Sequence, residues 1–238
     1  MVIPDLNLRL NTLYILNSEG RILSTREPGA KRGPLFALVR NERGCDWAFR
    51  VDVPPDLVSE IEQLARKEPP AFKLRSPPMF ADRYLSLLGG FNAPGCEGAA
   101  GVRLYTGPAF TFPDTITKSA DVVMIEEEGL LAKHFQGWVP GEIAAGRSPA
   151  LAIIEDEYPV SICFCARRSA SAAEAGLDTA EAYRGRGLGP RVTAAWALAI
   201  RASGRIPLYS TSWTNTASLA VARKLGLTAY ACDWNLSE

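Results

Sequence analysis

Tyr183-Arg184-Gly185-Arg186-Gly187-Leu188-Gly189-Pro190 is the stretch on which the reading of this chain turns. A strand pattern, about Ala173 to Thr179, precedes it. A helix pattern from about Gly189 to Ala202 follows, with Val192, Trp196, Ala199 and Ile200 on one apolar face. Glycines let the backbone turn so that successive N–H groups point into one concavity. The first turn of the helix adds unpaired N–H donors and the positive end of its dipole. Together these form an anion site suited to a pyrophosphate, to which Arg184, Arg186 and Arg191 can add charge. The spacing is G-x-G-x-G. It is neither a Walker loop nor the G-x-G-x-x-G of a dinucleotide-binding fold, whose turn would follow the first strand and not lie this late. Taken alone, the run also fits an ordinary strand–helix connection.

Working outward, Leu151–Ile154 and Val160–Ala166 read as strands separated by the acidic turn Glu155-Asp156-Glu157. Helical segments are expected over Gly129 to Ala145, broken at Pro140-Gly141. Beyond the central helix come a strand Leu208–Thr211, a helix Thr216–Leu225 ended by Gly226, and a strand Thr228–Trp234. After the first helices the order is β-β-β-α-β-α-β, an α/β (α+β) arrangement. The N-terminal part opens with two hairpins. The first pairs Leu13–Leu16 with Arg21–Ser24. The second pairs Leu35–Val39 with Trp47–Val51 around a turn containing Asn41-Glu42-Arg43-Gly44. A helix follows Pro54-Pro55, with Leu57, Ile61 and Leu64 on one stripe, and a shorter one covers Phe80 to Leu88. Asn92 to Gly101 reads as a loop, and Val102–Tyr105 as a strand running into Gly107–Pro113. A boundary near residue 115 divides a β-rich α+β subdomain (1–115) from a second domain (116–238). With almost no linker between them, the two are expected to pack together.

Lys plus Arg number 26 and Asp plus Glu 26, which argues against a general nucleic-acid binder. No apolar run approaches the ~20 residues of a membrane span, and Met1–Asp5 does not open a secretory signal. Five cysteines, an odd number in a chain of 238 residues, fit reduced thiols in a cytoplasm. Cys163 and Cys165 would share one face of a strand. With one histidine, His134, and no Cys-x-x-Cys, they read as buried structural thiols, and no metal site is expected.

Arg184-x-x-Gly187-x-Gly189 resembles the R/Q-x-x-G-x-G/A pyrophosphate motif of the GNAT acetyltransferases. Leu177–Tyr183 is similar to that family's strand and turn, with Thr179 in place of a common valine. Asn215-Thr216-Ala217-Ser218 through Arg223-Lys224-Leu225-Gly226-Leu227 resembles its last helix, commonly N-x-x-[AS] followed by K-x-G-F, with Leu227 where phenylalanine is usual. The two motifs stand in the family's order, and the resemblance covers roughly 116–238. More loosely, the whole chain is similar to bacterial GNAT-like proteins whose N-terminal extension ends in G-P-A-[FY]-x-F-P, here Gly107 to Pro113.

The resemblance implies a mixed, splayed sheet flanked by helices and an N-acetyltransferase using acetyl-CoA as acyl donor on a small-molecule or peptide amine. It also allows a homodimer. Leu177, Asp178 and Thr179 would meet pantetheine and the thioester, and Gly185, Arg186, Gly187, Leu188 and Gly189 the pyrophosphate. Asn215 would reach the cysteamine end or a water, with Ser218 beside it on the same helix. Acyl transfer needs a deprotonated amine, a donor to the oxyanion and an acid for the thiolate. Glu174 is the candidate base; the alternative is a structural carboxylate paired with an arginine such as Arg167 or Arg168. Ala222 stands where many members carry a tyrosine acid, which leaves Tyr209, Tyr230, Ser218 or water for that role. His134 reads as structural or exposed, with nothing placing it near the turn. Trp213 could wall the acceptor pocket or pack in the core. The competing function is a non-catalytic acyl-CoA-binding or sensing module.

Overall fold

Leu151-Ala152-Ile153-Ile154 and the apolar alternation of Val160 to Cys165 predict strands buried between layers, and in the computed structural model they lie inside the largest sheet. The structure describes residues 3–90, 101–117 and 119–238. In chain order the elements are α1 (Leu6–Leu13), β1 (Tyr14–Leu16), β2 (Ile22–Thr25), β3 (Phe36–Asn41), β4 (Gly44–Phe49), α2 (Pro55–Ala65), α3 (Ala81–Gly89) and β5 (Arg103–Thr111). They continue with β6 (Val123–Met124), β7 (Leu151–Glu155), β8 (Tyr158–Arg168), β9 (Ala172–Thr179), α4 (Leu188–Ala202), β10 (Ile206–Ser210), α5 (Thr216–Lys224) and β11 (Thr228–Ser237). Among the described residues β1 and β2 form a small ribbon. The remaining strands form one nine-stranded mixed sheet in the order β4-β3-β11-β5-β10-β9-β8-β7-β6.

Helices cover both faces. On one, Val192, Trp196 and Ile200 of α4 bury against Cys163, Cys165 and Tyr209. On the other, Leu6, Leu10 and Leu13 of α1 bury against Ala172, Leu208 and Ala231. Toward the β4 edge, Ile61 of α2 and Tyr84 and Leu88 of α3 pack on Phe36, Phe49 and Trp234. Helix α1 was not expected, although Leu6, Leu10 and Leu13 at i, i+4 and i+7 and the Asp5 cap, whose carboxylate accepts from the Asn7 N–H at 2.7 Å, carry its signal.

Several expectations shift. The second hairpin closes through Glu42-Arg43, with Asn41 opposite Gly44. Its strands are thus 36–41 and 44–49, not 35–39 and 47–51. The helical stretch expected over 129–145 is a 3-10 turn, Glu128–Lys133, and a π turn, Ile143–Arg147. The Glu128 carboxylate explains the break, because it accepts from the N–H groups of Gly141 and Ile143 (2.8 Å for the latter) and diverts backbone donors from a continuous ladder. The loop expected over Asn92–Gly101 lies, except for Gly101, outside the described residues, as does Cys96.

The boundary near residue 115 falls after β5, and β5 lies between β10 and β11. Residues 1–115 therefore place β3, β4 and β5 in the same sheet as 116–238. Gly107 makes the seam at β5 possible. A Cβ there would lie 1.8 Å from the Thr211 carbonyl oxygen. Without one, the Thr211 and Trp213 N–H groups donate to the Pro108 and Thr106 carbonyls at 3.3 Å, extending the seam past the end of β10.

Candidate functional site

Strands β9 and β10 run parallel and pair at three positions, Ile206–Ala172, Pro207–Ala173 and Leu208–Glu174. Beyond Glu174 the ladder stops, although β9 continues to Thr179 and β10 to Ser210. The two strands are held by their other neighbours, β9 by β8 and β10 by β5, through Tyr209–Phe110 and Ser210–Ala109. The facing edge of β9 thus leaves main-chain groups open beside a gap.

A cleft of about 550 Å³ opens there. Leu177, Asp178 and Thr179 form one wall, and Arg184, Gly185, Gly187, Leu188 and Gly189 the end at the start of α4. Asn215, Ser218, Val221 and Lys224 of the α5 segment form the other wall. Gly185 and Gly187 hold φ of +79° and +77°, and Gly187 is the residue from which α4 starts. Only glycine adopts this region without strain, so the N–H groups of the turn and of the first helical residues are presented together. At Gly189 a Cβ would stand 3.4 Å from Leu177 and 3.6 Å from Val221, within ordinary contact of β9 and α5.

The residues expected at the cofactor thus converge, with two qualifications. Arg186 does not line the cleft; its guanidinium forms a fork with Glu155 at 2.7 and 2.9 Å. Asn215 lines it but caps α5, its side-chain oxygen accepting from the Ser218 N–H at 3.0 Å. Arg191 pairs with Asp121. Arg184 donates through Nε to the Thr179 carbonyl at 3.0 Å, closing the turn back on its strand. Lys224, Val221 and Tyr183 were not expected in the lining. His134 stands nearer the turn than the sequence suggested, its ring edge-on to Tyr183 at 5.7 Å.

Tyr209 reaches the cleft from the gap, and its hydroxyl lies 2.6 Å from Ser218 Oγ. Burial pushes its phenol up to about 12, so it holds its proton at neutral pH. Tyr230 is buried on the α1 face, away from the cleft, and Ala222 is buried under α5.

Glu174 does not line this cleft. Its parity on β9 is that of Ala172, toward α1, and it is 5% exposed. Its carboxylate accepts from Arg9 Nη1 at 3.2 Å and from Ser210 Oγ. Arg9 also forks onto Asp233, with 2.6 Å from Nε to Oδ1. The arginine partner is therefore Arg9 of the unexpected helix, not Arg167 or Arg168. Arg167 Nη2 donates to Glu27 at 3.4 Å, and Arg168 to the Ser148 carbonyl at 3.0 Å. Trp213 lies under Arg75, whose guanidinium is 5.7 Å from the ring centre. Cys163 and Cys165 are in the α4-side core, where burial raises both thiols, that of Cys165 to about 11.

Residues 148–232 match the family described as GNAT acetyltransferase. No curated protein matches the chain. Among solved structures, the chain is similar to a GNAT-family acetyltransferase from Novosphingobium aromaticivorans DSM 12444, at 19% identity and a TM-score of 0.48. That likeness covers 56% of this chain and 64% of the other, so less than two thirds of that relative's length is matched. It is also similar to a GNAT-family acetyltransferase from Colwellia psychrerythraea, at 11% identity and a TM-score of 0.47, over 94% and 80% of the two chains. A third likeness is to a GCN5-related N-acetyltransferase-like protein from Streptococcus suis 89/1591, at 19% identity and a TM-score of 0.43, over 85% and 84%. No helix among the described residues is long and apolar enough to cross a membrane.

Proposed function

Starting from the match of residues 148–232 to the GNAT acetyltransferase family, we propose that the chain is an acetyl-CoA-dependent N-acetyltransferase acting on an amine. The observation that carries this reading is the gap where β9 and β10 part, which opens into the cleft that ends at Gly185 and Gly187. An extended amide-bearing arm fits such a gap, because the open edge of β9 offers hydrogen bonds that no neighbouring strand takes. A pyrophosphate fits the turn, because N–H groups at a helix start face it. Acetyl-CoA supplies an acyl group activated as a thioester.

The chain's own residues divide the remaining work. A main-chain N–H on the open edge of β9, in the Leu177–Asp178 stretch, would hold the acyl carbonyl and the developing oxyanion. The Tyr209 hydroxyl, backed by Ser218 Oγ, would give a proton to the departing thiolate as the C–S bond breaks. This places an acid in the strand facing the gap, in place of the tyrosine missing at Ala222. The proton leaving the amine would pass through Ser210 Oγ to Glu174, since Ser210 already donates to that carboxylate.

A second reading, a non-catalytic acyl-CoA-binding or sensing module, draws on Ala222 and on the engagement of Glu174 with Arg9. Two measurements separate them. Calorimetry should find acetyl-CoA binding, and an amine panel should release CoA thiol only in the catalytic case. Glu174→Gln should keep CoA affinity and lower turnover by about 10²-fold. The deficit should shrink at high pH, where free amine is already abundant. Wild-type turnover across the pH range would leave Glu174 a structural residue.

A further inference from the structure

On the α1 face of the sheet lies a second cleft, of about 400 Å³. Tyr209 and Ser210 are adjacent on β10, so their side chains leave opposite faces of the sheet. Tyr209 lines the first cleft and Ser210 the second. The two therefore lie back to back across the end of β10, where β9 has already parted from it. Much of the second wall comes from the N-terminal segment, including Arg9, Tyr14, Glu27 and Lys31.

Charge in this cleft is sorted by depth. At the bottom are Arg9 and Asp233, whose side chains are 1% and 2% exposed, with Glu174 behind Ser210. Two carboxylates face one guanidinium there, a local excess of negative charge. Nearer the mouth, Arg167 is 28% exposed and Lys31 77%, and both pair with the single carboxylate of Glu27, an excess of positive charge. Two buried atoms repeat the pattern. Asn235 Oδ1, on a residue 8% exposed, is an acceptor without a hydrogen-bond partner, and Arg167 Nε is a donor without one. Both residues line this cleft. Unsatisfied buried polar atoms are costly, and two of opposite sense in one cleft suit a ligand that supplies a donor at one end and an acceptor at the other.

We infer that this cleft receives the amine, and that the amine belongs to a zwitterion, a small amino compound carrying a carboxylate, whose ammonium end enters toward Asp233, Asn235 and Ser210 while its carboxylate stays at Lys31 and Arg167. The inference rests on the acyltransferase reading given above, since the ammonium end lies beside the gap that would admit the thioester. The carboxylate-binding end belongs to the N-terminal hairpin region and β8, outside the GNAT motifs.

The test uses matched pairs differing only by the carboxylate: L-phenylalanine with 2-phenylethylamine, L-leucine with 3-methylbutylamine, and γ-aminobutyrate with propylamine. Each is titrated calorimetrically into the full-length protein holding CoA, and each is assayed with acetyl-CoA. Loss of a charge-assisted contact should weaken the carboxylate-free member by about tenfold or more in at least one pair. The double variant Lys31→Gln, Arg167→Gln should remove that advantage and leave the carboxylate-free amines unchanged. Equal binding within every pair, preference for the carboxylate-free members, or no binding of any carboxylated amine would overturn the inference. The pairs decide on the unaltered protein even if the double variant does not fold. Binding preference without turnover would count against catalysis only. Turnover without preference would count against the zwitterion only.

Discussion

The two clefts are built from different materials. Apart from Tyr209, the first is contributed by two short runs, Leu177–Pro190 and Asn215–Lys224, and its end is a turn of glycines at a helix start. The second is gathered from α1, β1, the β2 region, β5, β8, β10 and β11, and its central side-chain pair, Arg9 and Asp233, is 224 residues apart in sequence. A backbone-built site needs glycines at positive φ and a helix start, which are local features. A side-chain-built site needs only that ordinary residues meet, which is a property of the whole sheet.

The sharpest way to break this contrast is at Arg9. Arg9→Met removes the guanidinium from two buried carboxylates, and stability should fall by about 3–5 kcal/mol in chemical denaturation. CoA affinity of the protein that remains folded should be unchanged. If affinity falls in parallel, the clefts are one cooperative unit and the contrast dissolves.

Next comes Gly187→Val, which forces a β-branched residue to a φ of +77° and so re-aims the N–H groups of the cradle. CoA affinity should drop by at least about 10²-fold, comparable to losing well-placed donors to an anion. Circular dichroism should stay native, because a Cβ there meets no atom within 4 Å. Unchanged affinity would move the pyrophosphate elsewhere.

Tyr209→Phe should act more mildly. Thiolates leave readily, with thiol pKa values of about 8.5, so the missing acid should reduce kcat by about tenfold, less than general acids commonly contribute. Because burial holds the phenol at about 12, it remains a donor at any pH well below that value and should cause no alkaline loss there. An alkaline limb near neutrality that vanishes in the variant would contradict this. Smallest is Lys224→Gln, which removes an exposed cation from the wall of the first cleft. A two- to fivefold weakening of CoA binding, about what an exposed charge gives, should disappear at high salt.

How much could be read from residues alone follows the same division. The strands and helices from Leu151 onward were legible, because each carries a strong period and the glycine turn punctuates them. All the residues expected at the cofactor except Arg186 line one cleft, and that exception is a side-chain matter: Glu155 competes for the guanidinium. Glu174 was legible as a carboxylate on the strand at the gap, but its partner was not. Nothing near Arg9 in sequence marks it as the counter-charge of residues on β9 and β11. Helix α1 was there to be found in Leu6, Leu10 and Leu13. The place of β5 between β10 and β11 was not, since pairing across such distances leaves no periodic trace. Gly107 was the available hint, a glycine inside a strand pattern, where another backbone comes close.

That place of β5 also sets the order of assembly. β11 pairs on one side with β3, Cys232 opposite Arg40, and on the other with β5, Trp234 opposite Thr106. Both partners leave the ribosome long before it does. Until Thr228–Ser237 has been synthesised, two strands made early have no neighbour between them, and unpaired strand edges are the surfaces on which nascent chains associate wrongly. The sheet closes only once that segment is in place, and its many distant contacts make it slow to fold for its size. Deleting Thr228–Ser237 would open the sheet between β3 and β5, whereas losing β6, at its margin, would only shorten it.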